Sequence, residues 1–170
     1  KLVTGVQTCA LPICTTSAAG ETVTVTSAGA INGAGQVTGA TIDLNAVSGI
    51  GNAVALELAG TTLTIDTVNG NIDVDNALAT AVGVTTLTTG TGSIVFDGSL
   101  GGAVTFGTVS TTDGAIDLEN IAGNLIVATS VTAGGVANAS LTTTTSGSVT
   151  LTGTTSAAGE TVTVTSAGAI

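Results

Sequence analysis

The sequence predicts an all-β protein, a parallel β-helix (β-solenoid) with about 20–22 residues in each turn of the solenoid. The first observation is a seven-residue motif, GNIDVDN, GSIVFDG and GAIDLEN, whose glycines are evenly spaced at positions 70, 92 and 114, a 22-residue step. In each copy the third and fifth residues are apolar, which is typical of a strand with one buried face. A strand unit that returns at a fixed period indicates a fold of stacked repeats.

The second observation is the composition, which has 43% hydrophobic residues, 7% charged residues and only two aromatic residues, Phe96 and Phe106. A narrow core of small branched side chains is therefore expected, and the abundant Thr, Val and Gly are poor helix formers. The alternative is a string of immunoglobulin-like sandwiches, but these usually carry aromatic core residues and less regular strand spacing. We expect six residues of the motifs to form the structural core, stacked turn on turn: Ile72, Val74, Ile94, Phe96, Ile116 and Leu118.

Taken in order, the chain begins with residues 1–14, which contain the only Lys, the only Pro and both cysteines, Cys9 and Cys14. Residues 3–13, VTGVQTCALPI, resemble the translation of a sequencing-library adapter. The alternative is a genuine short leader, although polar residues interrupt the apolar run that a secretory signal needs. We interpret residues 1–14 as non-native, disordered or loosely attached, and the cysteines then carry no information about redox compartment.

From Thr15 onward the chain alternates predicted strands with corners. The seventh motif position, occupied by Asn76, Gly98 and Asn120, is expected to take the positive φ of a tight corner. Because Gly147 follows Gly114 by more than the regular step, we expect one longer turn or an extra corner there. Besides the three motifs, the predicted strands are 22–26, 41–45, 54–58, 63–66, 85–88, 104–106, 125–127, 140–142 and 147–151.

An exact repeat extends the pattern, since the segments 15–31 and 154–170 both read TTSAAGETVTVTSAGAI, with a 139-residue offset between them. Such identity indicates a duplicated unit of about six or seven turns. We therefore expect residues 15–170 to be a solenoid fragment truncated inside a 139-residue repeat. Uncapped end turns would expose strand edges that tend to associate.

The charge distribution excludes several functions. The chain has eleven acidic residues and one Lys, which gives a net charge of -10. Nucleic acid and anionic membrane surfaces are therefore not expected partners. Membrane insertion is not expected either, because no apolar run reaches the roughly 20 residues of a span. With no His, and with both cysteines inside the segment 1–14, no catalytic residue is predicted and the chain is not expected to be an enzyme.

Two surface patterns are candidate sites. In the 22-residue register Asp75, Asp97 and Glu119 form a column, flanked by Asp73 and Asp117. That column is either a solvated acidic stripe that aids solubility or a calcium site, and no cofactor other than calcium is expected.

Pairs of the form Thr-x-Thr recur along the chain and would suit a carbohydrate- or ice-binding face. Threonine is also ordinary in solvent-facing strands. The spacing of the pairs is too uneven to predict a single column. The pairs begin at Thr22, Thr62, Thr86, Thr142, Thr150 and Thr161.

The stretch GSVTLTGTTSAAGETVTVTSAGAI, together with GNIDVDN and GAIDLEN, resembles the repeat region of filamentous-haemagglutinin-like adhesins and related large exoproteins over residues 15–170. The resemblance implies a right-handed parallel β-helix, secreted by a Gram-negative cell and displayed on its surface as a long fibre. It implies a structural or adhesive stalk, with flanking repeats of the same protein and a host-cell or matrix receptor or glycan as partners. No functional residue of the family can be transferred to this chain.

Overall fold

A computed structural model describes residues 3–7 and 15–170 of the chain. These residues contain strands and no helix, which confirms the all-β prediction. The strands are β1 Val3–Gln7, β2 Thr16–Ser27, β3 Gln36–Ala46, β4 Leu56–Thr67, β5 Ile72–Asn76, β6 Val82–Thr89, β7 Ile94–Gly98, β8 Val104–Thr111, β9 Ile116–Asn120, β10 Leu125–Ala133, β11 Ala139–Thr143, β12 Val149–Leu151, β13 Thr154–Ala157 and β14 Val162–Thr165.

The strands wind into a parallel β-solenoid of about seven turns, as the sequence predicts. Strands β5, β7, β9, β11 and β14 pair in succession and form what we call face 1. Strands β6, β8 and β10 run along two further faces, and β10 pairs with β12 on face 2 and with β13 on face 3. Strand β4 begins on face 1, where residues 56–58 pair with residues 74–76 of β5, and its residues 62–66 then pair with β6. Every pairing among the described strands is parallel, whereas the sandwich alternative would require antiparallel sheets.

The predicted core is confirmed. Ile72 pairs with Ile94 and Ile94 with Ile116 on consecutive turns, and all three side chains are buried. The neighbouring column of Val74, Phe96 and Leu118 is equally buried. Phe96 also meets Phe106 from face 2 edge to face, with ring centroids 5.2 Å apart, so the two aromatic rings join opposite walls of the interior.

Glycine begins each motif because the backbones of successive turns approach closely there. A Cβ atom added to Gly92 or Gly114 would lie less than 3.0 Å from the carbonyl oxygen of the glycine one turn earlier. Of the three motif glycines only Gly70 has a positive φ, 91°. The close approach of successive turns therefore explains why glycine recurs every 22 residues better than the backbone geometry of a corner does.

The prediction of positive φ at the seventh motif position is wrong. None of Asn76, Gly98 and Asn120 has a positive φ, and each ends its strand at a buried position. Asn76 Oδ1 accepts a hydrogen bond from the Gly60 amide at 3.2 Å, and Asn120 Nδ2 donates to the Gly102 and Asn124 carbonyl oxygens at 2.9 Å. These amide side chains therefore form the hydrogen bonds that buried backbone N–H and C=O groups at the corners need.

The expected longer turn before Gly147 is confirmed in a modest form. Ile94 and Ile116 are partners 22 residues apart, whereas Ile116 and Ala139 are 23 apart and Leu125 and Val149 are 24 apart. Gly147 also lies over Gly123, at a different corner from Gly114. The predicted strand 54–58 begins later than expected, at Leu56, and Val54 is 62% exposed in the preceding loop.

Within residues 1–14 the structure describes only Val3–Gln7, which pair in parallel with Val23–Ser27 of β2. The rest of the prediction about residues 1–14, including both cysteines, lies outside the described residues.

Replacing Gly114 by Ala is expected to lower the free energy of unfolding by about 1–3 kcal/mol, because the new methyl group forces the backbones of two turns apart. The matched control is Gly83→Ala, where an added Cβ has its nearest neighbour at 3.9 Å and φ is not positive. Thermal or urea unfolding of both variants checks this. Equal effects of the two substitutions would contradict the explanation from close approach.

Candidate functional site on the outer faces

Face 1 carries a ladder of carboxylates on its outer side. Asp75, Asp97 and Glu119 occupy one register position on consecutive turns, as predicted. Glu57 of β4 extends the ladder by pairing with Asp75. Sequence reasoning missed Glu57 because it stands closer to Asp75 than the 22-residue step allows, since the loop before Leu56 shifts the period.

The flanking acids lie where the register predicts, with Val95 paired to Asp73 on one side and to Asp117 on the other. We call these residues together with the ladder the acidic ladder of face 1. Parallel strands are about 4.8 Å apart, so successive carboxylates are held near one another by the backbone and cannot move far apart.

Burial, together with this crowding, raises the pKa of three carboxyl groups of the ladder. Burial raises the pKa of Asp97 to about 6, with further contributions from the negative charges of Asp75, Glu119, Asp117 and Asp73. Burial, and then the charge of Asp75, also raises the pKa of Glu57 and of Asp73. Asp97 is the centre of the ladder, with a carboxylate on the turn above and on the turn below.

The calcium hypothesis remains a prediction. Among the described residues no group of three or more acidic side chains has the arrangement of a metal site. At the C-terminal end of the ladder Glu119 Oε1 instead accepts a hydrogen bond from Thr144 Oγ1 at 2.9 Å. The register of the ladder is compatible with the solvated acidic stripe and with weak binding of cations between neighbouring turns.

Face 3 presents two rows of hydroxyl groups, which we call the hydroxyl rows. Adjacent turns are about 4.8 Å apart, and residues i and i+2 of one strand are about 6.6 Å apart, so the hydroxyl groups repeat regularly in two directions. One row is Thr86, Thr108, Ser130 and Thr154, and the other is Thr88, Ser110, Thr132 and Ser156.

The hydroxyl rows were not predicted, because only one of the six Thr-x-Thr pairs, Thr86 and Thr88, belongs to them. The remaining positions mix Ser with Thr, and a search for threonine alone misses them. Counting Ser and Thr together at the 22-residue step would have identified the first three turns of the rows.

A cleft of about 320 Å³ adjoins the N-terminal end of the hydroxyl rows. Its polar lining includes Asn45 and Asp66, and its apolar lining includes Val47 and Val68, which are 44% and 61% exposed. Asp66 accepts hydrogen bonds from Thr86 and Thr88, so it connects the cleft to the rows. Hydroxyl, carboxylate and amide groups beside exposed apolar side chains are suited to bind a polyhydroxylated ligand.

Comparison with known proteins gives no relative: no family model, curated protein or solved structure matches the chain. A search for membrane-spanning helices among the described residues finds none long and apolar enough. The function must therefore be argued from the geometry of the solenoid.

Acidification from pH 7 to about pH 4 is expected to raise the melting temperature through the acidic ladder. Asp97 has a pKa of about 6 in the folded protein against an ordinary value of 3.8, so the folded state binds the proton more tightly. Stability therefore falls as the pH rises through this window, and the full cost is present above pH 6.

Asp97→Asn should raise the melting temperature at pH 7 and reduce its dependence on pH, as measured by calorimetry. Glu160→Gln, which changes an exposed carboxylate outside the ladder, is the control for net charge. An Asp97→Asn protein with the pH profile of the parent would refute the role given to the ladder.

Proposed function

We propose that this chain is a structural and adhesive stalk segment of a large secreted or surface-displayed bacterial exoprotein, which supplies length and a repetitive display surface. The observation that carries the proposal is the unbroken interior column from Ile31 through Ile50, Ile72, Ile94 and Ile116, in which each turn covers the one before it. A structure held together by contacts between neighbouring turns can lengthen by adding turns without redesign.

The exact repeat supports growth along one axis. Six turns along the interior column lead from Ile31 to Val162. Val162 is the copy of Val23, however, whereas the copy of Ile31 is Ile170. The second copy of the repeated sequence therefore lies about one face further around the solenoid than the first. Successive copies would then present the same side chains in different directions around a fibre.

The expected setting follows from the resemblance of residues 15–170 to adhesin repeats. It favours secretion to a Gram-negative cell surface and, as partners, a host-cell or matrix receptor or glycan together with flanking repeats of the same protein. Catalysis is not part of the proposal, because residues 15–170 have acidic groups but no His, Lys or Arg to partner them.

A second candidate function is a carbohydrate- or ice-binding face, and the hydroxyl rows of face 3 favour it. Four consecutive turns hold paired hydroxyls on a parallel sheet, and the adjoining cleft adds Asn45 and Asp66. Such a face would recognise a repetitive polar ligand, since its own groups repeat at about 4.8 Å.

Inserting one or two further copies of residues 15–153 into the chain tests the stalk. Each 139-residue unit should lengthen the particle by about 30 Å at constant cross-section, because every turn adds about 4.8 Å. Small-angle X-ray scattering measures both quantities. Particles that thicken rather than lengthen would contradict the proposal.

The same arrays test the second candidate. Binding to insoluble polysaccharides, and inhibition of ice recrystallisation, are measured for the parent, for Thr108→Val on the hydroxyl rows and for Thr142→Val on face 1. Activity that Thr108→Val removes and Thr142→Val leaves intact assigns the function to face 3. An inactive parent array excludes it.

A further inference from the structure

One of the hydroxyl rows continues without a break into the cleft beside it. In this row Thr88 pairs with Asp66, Asp66 with Asn45 and Asn45 with Thr26, each on the preceding turn. Thr26, Asn45 and Asp66 all line the cleft. A ligand that follows the row therefore reaches the cleft, where a carboxylate and an amide take the place of hydroxyl groups.

The protein itself uses most of the hydroxyl donors around the cleft. The hydroxyl groups of Ser27 and Thr67 donate to the carbonyl oxygens of Ala30 and Gly70, at 3.1 and 3.3 Å. Of the hydroxyl groups that line the cleft, only that of Thr26 makes no hydrogen bond within the part of the chain that the structure describes. The cleft therefore has few donors left to offer a ligand.

The acceptors of the cleft are still available. Asp66 accepts hydrogen bonds from Thr86 and Thr88, which orient the carboxylate and use two of its roughly four lone-pair sites. Asn45 Nδ2 donates to Asp43 Oδ1 at 2.8 Å, whereas Asn45 Oδ1 accepts no hydrogen bond from the described residues. Residues 15–170 contain no Lys, Arg or His that could neutralise Asp66. The cleft therefore favours a ligand that supplies donors and a positive charge.

The apolar lining shows what kind of ligand fits these acceptors. Val47 and Val68 are both largely exposed, and they lie on adjacent turns, since the Asn69 amide donates to the Val47 carbonyl oxygen at 3.0 Å. A bare cation would leave both valines exposed to water. A sugar ring has a C–H face that covers such side chains while its polar groups turn towards the acceptors.

We propose that the cleft binds an amino sugar, one unit of a polysaccharide whose amino groups are free. Its ammonium group donates to Asp66 and to Asn45 Oδ1, and its ring packs against Val47 and Val68. This inference rests on the carbohydrate-binding face proposed above as the second candidate function, and it names the ligand class of that face.

Charge and size favour the amino sugar over the other ligands of such a face. A neutral polysaccharide and ice both supply hydroxyl donors, but neither supplies the positive charge that Asp66 lacks. Asp66 is the only carboxylate in its row, so one ammonium group is recognised and the neighbouring units meet hydroxyl groups. The cleft volume of about 320 Å³ lies at the lower end of the roughly 300–1,000 Å³ of small-molecule sites, which suits a single sugar.

Calorimetric titration of the full chain with two trisaccharides tests the proposal. One is β-1,4-linked glucosamine with free amino groups, and the other is its N-acetylated form, which has the same rings without the charge. At about pH 6, where amino groups carry protons, the parent should prefer the glucosamine trimer by about tenfold, the usual effect of one charge-assisted hydrogen bond. Equal affinities for the two trimers would overturn the proposal.

Asp66→Asn should abolish the preference, because the carboxylate is lost while the side chain still accepts a hydrogen bond from Thr88. Glu160→Gln removes an exposed carboxylate far from the cleft and should keep the preference. Circular dichroism confirms that both variants fold. Equal losses in the two variants would show a general attraction between an acidic protein and a cationic sugar, and would overturn the site.

A second pair of variants tests the apolar side of the cleft without touching any hydrogen bond. Val68→Ser and Val136→Ser both replace exposed valines, so neither is expected to disturb the core. Val68→Ser should weaken binding of the glucosamine trimer by about threefold, since less apolar surface is covered. Val136→Ser, in the loop after β10, should leave binding unchanged. Equal affinities of these two variants would overturn the placement of the sugar in the cleft.

Failure of the amino-sugar site is distinguishable from failure of the carbohydrate-binding face. Thr108 lies on the hydroxyl rows but does not line the cleft. Polysaccharide binding that Thr108→Val removes, together with equal binding of the two trimers, would overturn the amino-sugar site alone. A parent chain that binds neither trimer would also overturn that site, and the assays with Thr108→Val would still decide the function of the rows.

Discussion

Parallel backbone pairing between successive turns is the constraint on which the structure depends. It fixes the spacing of turns at about 4.8 Å, so each residue must lie over its counterpart one turn away. Inside, this places isoleucine on isoleucine from Ile31 to Ile116 and sets Phe96 between Val74 and Leu118. On the outside the same constraint aligns carboxylates on face 1 and hydroxyls on face 3, so core and surface follow from one rule.

The corners are the demanding part of such a fold, because backbone groups leave the sheet there and still need partners. After strands β2, β4 and β8 a buried Ser or Thr hydroxyl donates to the carbonyl oxygen three residues later, as in Ser27, Thr67 and Thr111. At other corners the side-chain oxygens of Asn71, Asn124 and Asn138 accept a hydrogen bond from a backbone amide of the next turn at 3.0 Å. These bonds link one turn to the next where strand pairing stops, which is why Asn, Ser and Thr recur between the strands.

The sequence predicted the stack correctly because period and alternation are local properties that survive in the fold. The sequence-based predictions were wrong where the outcome depends on which side chains face inward and which corner a residue occupies. Asn76 and Asn120 look like corner residues but face inward, and Gly147 belongs to a corner that a linear count cannot distinguish from that of Gly114. Glu57 was missed because the loop before Leu56 shifts the 22-residue step. The hydroxyl rows were missed because Ser replaces Thr at several of their positions. The interior side chains that recur, such as Ile72, Ile94 and Ile116, are those that the fold requires, so the function is argued from the outer faces.

Nuclear Overhauser contacts between isoleucine methyl groups test the stacking most directly. In a protein with selectively labelled methyl groups, Ile94 should show cross-peaks to both Ile72 and Ile116, because it lies between them one turn from each. Ile72 and Ile116, two turns apart, should show no direct contact with each other. If Ile94 lacked either neighbour, or if Ile72 and Ile116 touched, the chain would not wind as a solenoid and the account of its faces would be wrong.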